Sequence, residues 1–150
     1  MSITIERTPF AELEADPAFP SLVEAYTREC AIPEFTPGQV QVDTYLAMEQ
    51  VGALHVWAVR AGAELVGFLL ILAHTLPHFG ARAAIVESIY VDPAHRGAAG
   101  VSVIGVAKAF AFETGARGLL VSAPQGGALS RLLPVVGFRQ TSEVHLWPTT

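Results

Sequence analysis

Hydrophobic and polar positions along the chain change period several times, and each change marks an element. Ser2-Ile3-Thr4-Ile5-Glu6-Arg7 alternates every second residue, the pattern of a strand with one buried face. Pro17 and Pro20 punctuate the approach to a helix over residues 21–31, which Pro33 and Pro37 close. Thr36-Pro37-Gly38-Gln39 then reads as a second helix start, with Thr36 as cap, proline at the first position and glutamine three residues after the cap. Val40, Tyr45, Leu46 and Met48 supply its apolar side as far as Val51. Two strands follow at residues 54–60 and 64–72, and Ala61-Gly62-Ala63 between them has the length and the glycine of a hairpin turn. Beyond a loop from His74 to Gly80, residues 83–91 form a third central strand, ended by Asp92-Pro93. Residues 100–114 suit a helix with Gly115 as its stop, and residues 118–122 a short buried strand. Residues 128–133 read as a short helix cut off by Pro134, and residues 138–141 and 143–147 as a terminal strand pair.

The resulting order is β-α-α-β-β-β-α-β-α-β-β. Hairpins impose antiparallel pairing and the β-α-β crossing imposes parallel pairing. The pattern therefore predicts an α/β fold with a central mixed, mostly antiparallel β-sheet flanked by helices. No repeat, low-complexity tract or composition shift divides the chain, so residues 1–150 are read as a single domain.

Composition narrows the class. With 51% hydrophobic and 15% charged residues, the chain is far from the balance of a disordered segment. Its mean hydropathy of +0.43 raises the question of a membrane. The longest apolar run, from Leu65 to Ala73, is about half of the ~20 residues a spanning helix requires. The first residues carry Glu6 and lack the apolar core of a signal peptide. The expectation is a soluble, cytoplasmic protein with no membrane partner, whose surplus apolar surface goes into a homodimer interface. A formal charge of −5, one lysine (Lys108) and scattered arginines argue against a nucleic-acid partner. Cys30 is the one cysteine, so it forms no internal disulfide, which suits a reducing compartment. Neighbouring Glu29 opposes a thiolate there, and Cys30 is read as structural.

The stretch from Val91 to Val101 joins a strand to a helix and is rich in glycine and alanine. Small residues let a ligand approach the backbone, and the free amides of a helix start attract anions. Arg96 adds a permanent cation. A diphosphate fits such a nest without a basic surface, whereas the plain alternative is a tight strand-to-helix turn. Neither a G-x-G-x-x-G run nor a nucleotide P-loop is present.

The run Ile89-Tyr90-Val91-Asp92-Pro93-Ala94-His95-Arg96-Gly97 resembles the strand-to-loop signature of the GNAT N-acetyltransferase superfamily. The similarity continues through a helix ending at Gly115-Ala116, the strand Leu119-Leu120-Val121, and a helix closed by Gly137-Phe138. The match is clear over residues 85–147. It implies a GNAT-like acyl-CoA N-acyltransferase fold, acetyl-CoA as cosubstrate with no metal, and direct transfer of the acetyl group to a primary amine of a small molecule or peptide. In that scheme Arg96 and the amides of Gly97, Ala98, Ala99, Gly100 and Val101 hold the pyrophosphate, and the backbone of Ile89, Tyr90 and Val91 runs beside the pantetheine arm. Against the family pattern [Q/R]-x-x-G-x-[G/A], Ala99 replaces glycine and Val101 replaces glycine or alanine. Two other readings stay open: a catalytically inactive GNAT-like domain that binds CoA or a protein partner, and an apolar dimerising module with no ligand.

Acyl transfer to an amine needs a base, because a lysine-like amine with a pKa of ~10.4 arrives protonated. Glu87 interrupts the apolar strand just upstream of the cofactor segment, where many members of the family carry a base. The alternative is a strand residue facing solvent. The family's usual acid, a tyrosine four residues before the final Gly-Phe, is replaced by Leu133. Strict alternation sends Tyr90 to the face opposite Glu87. His74 and His78 have helical metal-ligand spacing, but Pro77 argues against a helix and no carboxylate or cysteine completes a site. Trp57, Phe68 and Trp147 read as core or interface. Residues 33–50 and the loop from His74 to Gly80 are the expected borders of the acceptor pocket, and the acidic composition favours a cationic acceptor.

Overall fold

In a computed structural model describing residues 2–30, 32–36 and 38–149, five strands lie side by side in chain order. They are β1 (Ile3–Arg7), β2 (Leu54–Ala61), β3 (Glu64–Leu76), β4 (Ala81–Val91) and β5 (Leu119–Val121). The first three contacts are antiparallel and the last, between β4 and β5, is parallel. The mixed, mostly antiparallel sheet predicted from the chain is thus the one observed. The long strand β3 is buried on both faces over residues 65–71, which is why residues 65–73 show an unbroken apolar run rather than alternation. The β2–β3 turn uses Gly62 at φ +61°, a conformation that glycine adopts without steric cost.

Helices cover both faces. On one, α4 (Ala98–Glu113) lays Ala99, Val103, Ala107, Phe110 and Ala111 against Trp57, Val59, Leu69, Ile71 and Val86. On the other, α1 (Phe10–Ala15), α2 (Phe19–Glu29) and α3 (Val42–Gln50) cover Val56, Ala58, Phe68, Leu70 and Tyr90. The amide of Phe10 donates to Glu49 Oε2 at 2.9 Å, tying α1 to α3. The last helix, α5 (Ala128–Val135), keeps Pro134 within its final turn, past the expected stop, and buries Leu133.

Several expectations are corrected. Helix α1 has six residues, too few for a 3.6-residue period to show, although Phe10 and Leu13 are its fully buried contacts. Helix α3 starts at Val42 rather than near Thr36, because the Thr36 hydroxyl donates back to the Pro33 carbonyl at 3.1 Å instead of capping forward. Pro37, its expected first residue, lies outside the described residues. The terminal strand pair does not form: residues 138–149 contain no strand, and all of residues 141–149 are exposed. With nothing paired on its outer side, β5 is only partly buried, and Leu120 is 42% exposed.

Candidate active site

Strand β4 is where the two halves of the site meet. Opposite β3, Ser88 pairs with Leu70 but Val86 pairs with Ile71, so Glu87 is the extra residue of a β-bulge. A regular strand would alternate from Val86 onward. The inserted residue instead resets the phase, so Glu87 and Tyr90 both face the α1–α3 layer, while Val86 and Ile89 face α4. The expectation that alternation separates Tyr90 from Glu87 is therefore overturned. No sequence pattern announces a bulge at this point.

Glu87 opens into a cavity of about 380 Å³ between the helical layer and the sheet. Phe10, Phe19 and Tyr26 form its roof, Tyr45 and Met48 of α3 one wall, and Phe68 and Leu70 of β3 its floor. The loop at residues 38–41 borders the mouth, within the region expected to shape the acceptor pocket, whereas the turn from Pro77 to Gly80 does not line it. The aromatic rings pack in a chain: Phe10 on Tyr45 at 4.8 Å, Tyr26 on Phe68 at 5.6 Å and Tyr26 on Tyr90 at 6.3 Å. The Tyr45 hydroxyl donates to Glu87 Oε1 at 2.8 Å. Glu87 Oε2 is buried and, among the described residues, has no hydrogen-bond partner. A buried acceptor left unpaired in an apolar cavity is costly, by roughly 1–3 kcal/mol, and such atoms cluster where a ligand completes the set.

Burial and the nearby Glu87 carboxyl push the Tyr45 phenol well above its ordinary value. The Tyr26 phenol is raised as well, chiefly by burial, then by Cys30 and Glu87. Both remain neutral donors. Cys30, half-buried at the end of α2, has its thiol raised by burial despite a hydrogen bond with Tyr26, which fits the structural role expected of it.

Past Val86 the sheet opens. The β4–β5 ladder consists of Ala84–Leu119, Ile85–Leu120 and Val86–Val121, so among the described residues the β5-side edge of β4 has no strand beside it from Glu87 to Val91. Asp92 then caps a 3₁₀ turn at Pro93–His95, accepting from the Ala94 amide at 2.9 Å. Gly97 precedes α4 at φ +91°, a backbone state that strongly favours glycine. A side chain built at Gly97 or Gly100 would meet no atom within 4 Å, and the first turn of α4 has no acidic residue. An open edge leading to an unobstructed helix N-terminus suits a long chain ending in a diphosphate.

Arg96 is engaged within the protein. Its Nη2 is paired with Glu29 Oε2 at 2.6 Å, its Nε donates to the Val91 carbonyl at 2.7 Å, and its guanidinium lies 5.5 Å over the Tyr90 ring. The cation ties the end of α2 to the loop. His74 lies in β3, and His78 stacks on Phe79 in the following turn. Among the described residues no three potential ligands cluster as a metal site. Trp57 and Phe68 are core, whereas Trp147 is 84% exposed.

No family model and no curated protein sequence matches the chain. Solved structures do. A ribosomal-protein-alanine N-acetyltransferase from Brucella melitensis biovar Abortus 2308 superposes with a TM-score of 0.70 at 23% identity, over 97% of this chain and 98% of its own. An aminoglycoside acetyltransferase from an uncultured soil metagenomic sample, in complex with trehalose, gives 0.74 at 16% identity over 99% and 96%. AAC(6')-Iy, in complex with the bisubstrate analogue CoA-S-monomethyl-acetylneamine, gives 0.72 at 16% identity over 100% and 99%. The chain has the fold of the GNAT acetyltransferases.

Proposed function

We propose that this protein is an acetyl-CoA-dependent N-acetyltransferase that moves the acetyl group directly to a primary amine of a small molecule or peptide. The observation that carries this is Glu87, a buried carboxyl with one oxygen held by Tyr45 and the other free, beside the unpaired edge of β4. Bound acetyl-CoA supplies the thioester whose C–S bond breaks as the new N–C bond forms. The pyrophosphate is assigned to the amides of residues 97–101 and the pantetheine arm to the backbone of Ile89, Tyr90 and Val91, assignments supported by the open edge and the unobstructed loop. In this scheme Arg96 keeps the loop in register through Glu29 and Val91.

Glu87 Oε2 first binds the acceptor's ammonium group, then takes the proton that the nitrogen must shed to attack the carbonyl carbon. Tyr45 holds Oε1 and so fixes the carboxyl rotamer, with Oε2 buried and unpartnered among the described residues. Tyr26, a neutral donor in the roof of the same cavity, carries no signal in its sequence context, because α2 gives it an ordinary helical position. The proposal extends to a location in the cytoplasm and to a homodimer, the latter supported by the exposed side chains of Phe112, Val135, Val144 and Trp147.

The test is direct. Acetyl-CoA at ~100 times its Kd should stabilise the fold by about 2.7 kcal/mol, read as a rise in Tm. Thiol release on adding primary amines then follows turnover. No stabilisation at millimolar acetyl-CoA excludes the assignment.

A further inference from the structure

We infer that the acceptor is a monoamine with an apolar, ring-bearing or branched body, rather than a polyamine, an aminosugar or a peptide. The inference deepens the proposal above and rests on its assignment of the Glu87 cavity to the acceptor. Two observations carry it: the charge and the lining of the cavity.

Glu87 contributes the only formal charge among the residues that line the cavity, and just one of its oxygens is free. One ammonium group satisfies that oxygen. A second or third ammonium would enter a wall of Phe10, Phe19, Met48, Phe68 and Leu70 with no counter-ion, and a desolvated charge without a partner is strongly disfavoured. Thr27, Gln39, Gln41, Thr44 and Ser88 also line the cavity, but none carries a charge that would pair a second ammonium. The ring edges of Tyr26 and Phe68 instead suit an aromatic or branched hydrocarbon body. The volume of about 380 Å³ lies towards the small end of the ~300–1,000 Å³ range of ligand pockets, which favours a compact acceptor.

The experiment is a calorimetric titration of the full chain in the presence of CoA, with 2-phenylethylamine, 2-phenylethanol, spermidine, a diamino aminosugar and a short alanine-initiated peptide. The monoamine should bind roughly 10-fold or more tightly than spermidine and than the neutral alcohol. Glu87→Gln should erase the advantage of the amine over the alcohol while leaving alcohol binding intact, which also reports that the variant is folded. Tighter binding of spermidine, the aminosugar or the peptide overturns the inference, as does no binding of 2-phenylethylamine to the unmodified protein. Preferential binding of 2-phenylethylamine without thiol release from acetyl-CoA upholds the acceptor class and removes the catalytic role.

Discussion

At the scale of single residues, Glu87 draws its importance from its unequal oxygens. One already accepts a hydrogen bond from Tyr45 and the other is buried without a partner among the described residues. Glu87→Gln preserves the shape and an acceptor for Tyr45 but removes the base. The expected loss in kcat is about 10²- to 10⁴-fold, with Tm little changed, measured by thiol release across pH. An unchanged rate at every pH would exclude Glu87 as the base. His55 offers a separate test, of stability. Its Nε2–H donates to the Gly52 carbonyl at 3.0 Å, its Nδ1 accepts from Arg7, and its ring packs on Phe110 at 4.6 Å. These partners define a neutral imidazole, and burial followed by the Arg7 charge lowers its pKa. The unfolded chain therefore takes up the proton first. Stability is retained above the ordinary value of about 6.5 and is lost as pH falls from there through the folded value. His55→Gln should flatten the fall in Tm between pH ~7 and ~5 relative to the unmodified protein.

At the scale of elements, the close approach of β3 to β4 sets the position of the edge to which the pantetheine arm is proposed to bind. A Cβ at Gly67 would lie 2.3 Å from the Tyr90 carbonyl oxygen and 3.1 Å from the Val91 Cα. Both are backbone atoms and neither can rotate aside. Gly67→Ala must therefore push the strands apart, at a cost of about 1–3 kcal/mol, visible as a lower urea midpoint. Because the displaced residues are Tyr90 and Val91, KM for acetyl-CoA should rise in the same variant. A normal midpoint with normal KM would mean that the strands tolerate separation. The bulge at Glu87 works at this scale too: one inserted residue turns the side chains after Val86 to new faces without breaking the sheet.

For the whole molecule, the question is where its apolar surplus goes. The two core layers absorb most of it, yet Phe112, Val135, Val144 and Trp147 are each more than 80% exposed. Residues 143–146 alternate polar with apolar, as a strand does, but are exposed and form no strand, and among the described residues β5 has an unpaired outer edge. In the proposed homodimer, a second copy of the chain would supply both the strand and the edge. Sedimentation velocity at micromolar concentration should show a dimer, and deletion of residues 139–150 should yield a monomer with little loss of Tm. A monomer before deletion would remove the homodimer. Among the described residues no helix is long and apolar enough to cross a membrane.

What the chain determined by itself is whatever local physics decides. Strand alternation, the Gly62 turn, the Asp92-Pro93 stop and the small residues opening α4 are all set by neighbours in sequence, and each reappears in the fold close to its expected position. Glu87 stood out because a carboxylate in an apolar strand needs a reason. Tertiary structure alone decided the rest. The phase shift that puts Glu87 and Tyr90 in one layer depends on pairing with β3, and the Arg96–Glu29 link joins residues far apart in the chain. The cavity exists only because α1, α2 and α3 roof a sheet whose strands come much later. The terminal residues carry a strand pattern without a strand, because alternation supplies the preference and only a paired edge supplies the hydrogen bonds.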